Sequence, residues 1–163
     1  MRFKALFDQG IEFKTYVAQG SEEEIQAVGK TAESVGHQLT PALASAISSV
    51  SQGVNILIAG ETWCPDCQLN ITAVSAMAQL QPNINISIIS RDFAENNLLG
   101  QLDISQVKIP LMVILDQYYQ PKGLFVEQPN TVKTSDDDAL KAAYNEGKCL
   151  NDTIIEVLDI IKV

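Results

Sequence analysis

The chain has 163 residues, 46% of them hydrophobic, three cysteines, one histidine and a formal charge of -9. That length suits one domain with a core that needs no staple, and three cysteines are too few for a disulfide framework. The acidity, with no Lys/Arg cluster, argues against nucleic acid and anionic membrane surfaces. No apolar run approaches the roughly 18 residues of a spanning helix, and Met1–Asp8 lacks a signal-peptide core, so the expected compartment is the cytoplasm.

Residues 1–52 read as a polar, helical N-terminal extension. Ser21-Glu22-Glu23-Glu24 has the form of a capping box, with Ser21 as the cap and Glu24 three residues on. Thr40-Pro41 marks a second helix start, running to about Ser51. The lone His37, between these two starts, reads as a surface or packing residue. Residues 53–163 read as the core. Asn55–Ala59 is short and apolar, as a buried strand should be. A helix is expected from residue 64 to about 80, with Leu69, Ala73, Val74, Met77 and Leu80 near one face and Pro82 beyond its end.

Ile84, Ile86 and Ile88 alternate with polar residues, which predicts a strand. Asp92 with Glu95 opens a short helix to about Leu102. Leu111–Leu115 is a third apolar strand, and Leu124–Val126 completes a hairpin after a turn-rich segment. Ser135 through Asp138 places a cap and three carboxylates at a helix start, which suits the macrodipole without invoking a metal. Gly147 ends that helix, and a last one starts at Asn151 or Asp152, with Ile154, Ile155, Val157, Leu158 and Ile161 as its apolar stripe. A strand-helix-strand crossover followed by a hairpin predicts an α/β fold, a central mixed sheet flanked by helices, in a single domain.

The informative motif is Glu61-Thr62-Trp63-Cys64-Pro65-Asp66-Cys67. Two thiols at the start of a helix can exchange a disulfide with another molecule, because the helix terminus stabilises a thiolate and the second thiol can resolve a mixed disulfide. A Cys-x-x-Cys is also half of many zinc sites. That use needs two more ligands, and the chain offers only Cys149 and His37, distant and not in ligand-pair spacing. No metal and no cofactor are expected. Cys149 reads as a buried structural thiol, with a regulatory role as the sharper alternative.

Trp63-Cys64-Pro65-Asp66-Cys67 at a strand-to-helix junction resembles the thioredoxin active site, and so does Ile109-Pro110 just before a strand. The likeness extends to a branch of bacterial thioredoxin-like proteins with a helical N-terminal segment. Phe7-Asp8-Gln9-Gly10 through Gly20-Ser21-Glu22-Glu23-Glu24, Ala59 through Asn70, and Ser90-Arg91-Asp92 carry it. The resemblance implies a thioredoxin-like fold and a protein-disulfide reductase. Cys64 would attack and Cys67 resolve, Pro110 would be a cis-proline beside the disulfide, the Ile109 backbone would pair with substrate, and Trp63 would border the substrate surface. The residues agree with this: with Cys64 at the N-cap and Pro65 at the first helical position, the Cys64 sulfur can accept from the Asp66 and Cys67 amides. On the same grounds Cys64 is expected to be exposed, with a depressed pKa, and Cys67 shielded.

Three positions depart from the thioredoxin pattern. The buried Asp of the strand before the motif is Ile58, which leaves Glu61 as the nearest carboxylate. Pro65-Asp66 replaces Gly-Pro and sets a negative charge beside the thiolate. Thr72 replaces a helix-kinking proline, so a straighter helix is expected. Expected partners are disulfide-containing proteins or small thiols, with a reductase or low-molecular-weight thiol for recycling. The alternative is a non-catalytic thioredoxin-like binding module holding a client, metal or cluster through the same thiols.

Overall fold

The computed structural model describes residues 2–163. Before the first strand come α1 (Phe3–Gln9), α2 (Phe13–Ala18), α3 (Glu22–Gln38) and α4 (Pro41–Ser48). The core follows as β1 (Val54–Ala59), α5 (Pro65–Leu80), β2 (Ile84–Ile89), α6 (Arg91–Asn97), a 3-10 turn at Leu99–Gln101, β3 (Leu111–Asp116) and β4 (Pro121–Val126). The chain closes with α7 (Asn130–Lys133), α8 (Asp138–Asn145) and α9 (Leu150–Ile161).

The strands form one sheet in the order β2-β1-β3-β4. β1 pairs parallel to β2 and antiparallel to β3, and β3 pairs antiparallel to β4. Side chains alternate between faces along a strand, so a strand buried at successive positions is covered on both sides. β1 is buried at every position and β3 at all but its last. α1 packs on β1 and β2, α5 on β2, and α9 on β3 and β4. α3 and α9 in turn cover α5. This is why α5 is buried nearly all round, at Cys67, Asn70, Ile71, Thr72, Ala73, Val74, Ser75 and Met77, instead of on the single face that its pattern suggested. α5 runs without interruption past Thr72.

The N-terminal segment is bound into the sheet. β2 is an edge strand, and the backbone of Ile11 pairs with that of Ile88 through two hydrogen bonds of 2.9 Å, which occupies edge groups that would otherwise face water. Beside this bridge the Ser87 hydroxyl donates to the Phe7 carbonyl. Ser87 is therefore buried, against the alternation expected for this strand. The Ser21–Glu24 capping box is present in full, and the Thr40 hydroxyl caps α4.

Some boundaries differ from the sequence reading. α4 ends at Ser48, and His37 lies within α3, which runs on to Gln38. Ser90 caps α6, its hydroxyl accepting from the Phe93 amide at 3.1 Å, so Asp92 falls inside the first turn. A distant carboxylate, Glu61, takes the Arg91 amide at 2.8 Å, a contact that local pattern does not hold. Asp137 caps α8, while Ser135 turns the chain ahead of it. α7 is short and carried no periodic signal.

Gly10 sits where the N-terminal segment meets β2. A Cβ there would lie 1.9 Å from the Ser87 hydroxyl and 3.0 Å from the Ile88 backbone. Gly10→Ala is expected to destabilise the protein by about 1–3 kcal/mol through overpacking, read as a lower midpoint in urea with an unchanged slope.

Candidate active site

The strand-to-helix junction after β1 sets the site. Cys64 is the N-cap of α5, with Pro65 at the first helical position. Its sulfur accepts from the Cys67 amide at 3.4 Å and lies 3.8 Å from the Ile109 carbonyl, to which the thiol can donate. Cys67 is 0% exposed and Cys64 only 7%. Cys64 is thus the more accessible of the two, but it is not the open thiol that its position before the helix suggested, because the Ile109 loop covers it. Both thiols are free. Beneath them Gly60 allows close approach: a Cβ there would meet Ile71 Cδ1 at 2.5 Å and Cys67 Sγ at 3.4 Å.

The two thiols are driven apart in acidity. The Cys67 thiol donating to Cys64 holds the Cys64 pKa down to about 7, helped by the Cys67 and Asp66 amides and opposed by burial and the Asp66 carboxylate. Cys67 is pushed strongly up, first by that same bond to Cys64 and then by burial, with the Glu61 amide opposing. One thiol is ionised near neutrality while the other stores a proton, a division suited to attack followed by resolution.

A buried polar network locks this junction to the rest of the fold. Asn70, one turn into α5 and fully buried, shares its two amide hydrogens among the Asp66 carbonyl (2.9 Å), the Glu127 carbonyl (3.1 Å) and the Tyr144 hydroxyl (2.8 Å). Thr153 of α9 donates to its oxygen at 2.6 Å. Tyr144 of α8 donates to Asp66 Oδ1 at 2.6 Å, with the Gln128 amide at 3.4 Å from the same oxygen. Burial, then the bond to Asp66, raises the Tyr144 pKa, so the phenol stays protonated and donating. Glu127 holds a left-handed backbone (φ 68°), uncommon for a residue with a side chain. Its amide donates to the Pro110 carbonyl at 2.8 Å while its carbonyl accepts from Asn70. The Ile109–Pro110 peptide, which leads into β3, is cis.

The expected site residues therefore converge, with adjustments. Trp63 stands 56% exposed beside the pair. Ile109 and Pro110 are buried, with the Ile109 carbonyl 3.8 Å from the Cys64 sulfur. The Glu61 carboxylate turns to the α6 amide, and the part of Glu61 that serves Cys67 is its backbone. Ile58 is fully buried and apolar. Cys149 lies apart, packed with Val132, Tyr144 and Leu69. His37 lines a groove of about 760 Å3 that Pro65 and Asp66 also line. Among the described residues no three His, Cys, Asp or Glu side chains converge as a metal site would require, and no helix is long and apolar enough to cross a membrane.

Sequence reasoning missed the parts played by Asn70, Tyr144 and Thr153, and read only a capping role for Glu24. The last is the capping-box carboxylate of α3, and it also accepts from the Thr62 hydroxyl at 2.9 Å in the active-site loop. An Asn among the apolar residues in the middle of α5 was the available signal for this network.

A dithiol at the N-terminus of a helix that leaves a central strand, beside a proline loop at the same end of a mixed sheet, defines the thioredoxin-like class. The chain belongs to the thioredoxin family: a family model described as Thioredoxin matches residues 10–140. It is similar to the crystal structure of a protein of unknown function, PA1234, from Pseudomonas aeruginosa, with 37% identity, a TM-score of 0.95, and 99% of this chain and 98% of that one covered. It is similar also to an HIV epitope-scaffold, with 35% identity, a TM-score of 0.96 and the same coverage. No curated protein matches the chain.

Two measurements follow from this geometry. Alkylation of the reduced protein should show a component that rises with pH to a plateau, half-complete near pH 7, because the Cys64 thiolate is the reacting form. Cys64→Ser should remove that component while leaving the slower reaction of Cys149 at higher pH. Asp66→Asn removes an opposing charge and should move the midpoint lower; an unmoved midpoint would mean that the carboxylate is screened. Thr153→Val keeps the shape of the side chain but leaves Asn70 Oδ1 buried without its donor. It should cost about 1–3 kcal/mol of stability, measured by denaturant unfolding.

Proposed function

We propose that this protein is a thiol–disulfide oxidoreductase that reduces protein disulfides in the cytoplasm. The observation that carries the reading is the division of labour between the two thiols: Cys64 near pKa 7 at the helix start, Cys67 sealed beneath it with its proton held. The Cys64 thiolate attacks one sulfur of a substrate disulfide, forms a mixed disulfide and expels one substrate thiol. Cys67 then attacks Cys64 Sγ, closing the Cys64–Cys67 disulfide and expelling the second. Two electrons pass to the substrate. A reductase or a low-molecular-weight thiol returns two electrons to complete the cycle. Trp63, exposed beside the pair, and the Ile109-Pro110 loop frame the approach of an extended substrate backbone.

The direction of electron flow follows from charge. Strong oxidants hold a very stable thiolate. Here the helix terminus favours ionisation while Asp66 opposes it within the same turn. The segment Gly53 to Ile89 carries no Lys, Arg or His, and Lys30 and His37 of α3, across the groove, are not among the groups that set the Cys64 acidity. Tyr144 fixes the Asp66 carboxylate in place, so that opposition is built in.

Equilibration with glutathione redox buffers should give a potential of roughly -270 to -220 mV, and a value near about -120 mV would make the protein an oxidant. The protein should reduce a model protein disulfide such as insulin at the expense of a dithiol. Cys64→Ser should be inactive, and Cys67→Ser should accumulate mixed disulfides whose partners can be identified. Binding of clients through the thiols without turnover would favour the binding-module reading instead.

A further inference from the structure

The resolving step sets a problem that the dithiol does not solve alone. Cys67 must lose its proton and bear negative charge in a site with no exposure to water. Charge that develops in such a place needs a donor aimed at it beforehand. The carboxylates around the pair are already committed: Glu61 Oε2 accepts from the Arg91 amide at 2.8 Å, and Glu24 Oε1 from the Ser21 amide at 3.0 Å and the Thr62 hydroxyl at 2.9 Å.

Tyr16 is different. It comes from α2 in the N-terminal segment, is 4% exposed, and packs in the same buried cluster as Cys64 and Cys67. Its hydroxyl is buried and makes no hydrogen bond among the described residues. An orphaned phenol is unusual, since tyrosine hydroxyls normally find a partner when buried, and leaving one unpaired is unfavourable. Burial, followed by the charges that Cys67, Cys64, Glu61 and Glu24 would carry around it, in that order, raises its pKa. The phenol is therefore a donor at every working pH and never a base. Cys67 heads that series of neighbouring charges.

We propose that the Tyr16 hydroxyl is the hydrogen-bond donor that receives negative charge on Cys67 during resolution of the mixed disulfide. The proposal rests on the reductase reading above and deepens it. In the step, Cys67 gives up its proton and attacks Cys64 Sγ. The Cys64–substrate S–S bond breaks as the Cys64–Cys67 bond forms, and the proton leaves with the expelled substrate thiol. Tyr16 gains no proton and loses none. It turns an unpaired donor into a paired one as the charge arrives, so its bond strengthens on the way to the transition state.

The test uses Tyr16→Phe and dithiobis-nitrobenzoate, whose coloured thiol is released once when Cys64 attacks and again when Cys67 resolves. All proteins compared, the wild-type reference included, carry Cys149→Ser, so that the third free thiol does not report, and Cys67→Ser then assigns the phases, since it lacks the second. In Tyr16→Phe the first phase should stay within about twofold of wild type and the second should slow by about tenfold, the size of a lost hydrogen bond to a charged group. The melting temperature should stay level or rise, because an unsatisfied buried hydroxyl has been removed. An unchanged second phase, equal slowing of both phases, or a clear loss of melting temperature would each overturn the proposal, the last by showing that the hydroxyl is structural. If wild type itself gives no second release, the dithiol reading fails, and this proposal with it.

Discussion

The side chain of Asn70 holds together parts of the chain that are far apart in sequence. Its amide reaches the Asp66 carbonyl behind the dithiol, the Glu127 carbonyl after β4 and the Tyr144 hydroxyl on α8, while its oxygen takes the Thr153 hydroxyl from α9. A buried amide is worth its desolvation only when its hydrogen-bonding capacity is used, and here both ends are occupied. The consequence is positional. Glu127, fixed by Asn70, keeps its left-handed backbone and fastens the Pro110 carbonyl, so the cysteine helix and the proline loop are set against each other through one side chain.

The same network sets the electrostatics of the pair. Asp66 lies one residue before Cys67, where a free side chain could swing into water and be screened. Tyr144 holds it at 2.6 Å, and Tyr144 is itself held by Asn70. A residue that raises the Cys64 pKa is thereby kept where it acts, against amides that lower it. The acidity of Cys64 is a balance of opposed terms, each tied to a different element of the fold.

The N-terminal segment takes part in this arrangement. It pairs with the β2 edge at Ile11, lays α3 along α5, and reaches the active-site loop through the Glu24–Thr62 hydrogen bond. Thr62 in turn accepts at its carbonyl from Gln68 in the first turns of α5. The helices before β1 thus line a groove beside Pro65 and Asp66 through α3, and place Tyr16 of α2 in the same buried cluster as the two cysteines.

Local pattern was enough for much of this. The alternation in Ile84–Ile88, the apolar runs of β1 and β3, the Ser21 and Thr40 caps and the Cys64-Pro65 helix start all express short-range sterics and hydrogen bonding, which neighbouring residues settle among themselves. From them came the mixed sheet, the crossover and the placing of both cysteines at a helix terminus. Contacts across the chain decided what periodicity does not encode. Burial of α5 on nearly every side comes from α3 and α9 packing over it, and Ser87 is buried because Phe7 offers it a carbonyl. Glu61 faces α6 because the Arg91 amide lacks a helical partner, and the Ile109 carbonyl covers Cys64 because the β3 loop folds back over the helix start. Asn70, Tyr144 and Thr153 meet only when three helices are packed. Residue type supplied each donor and acceptor, but the distance between them is a property of the folded chain alone.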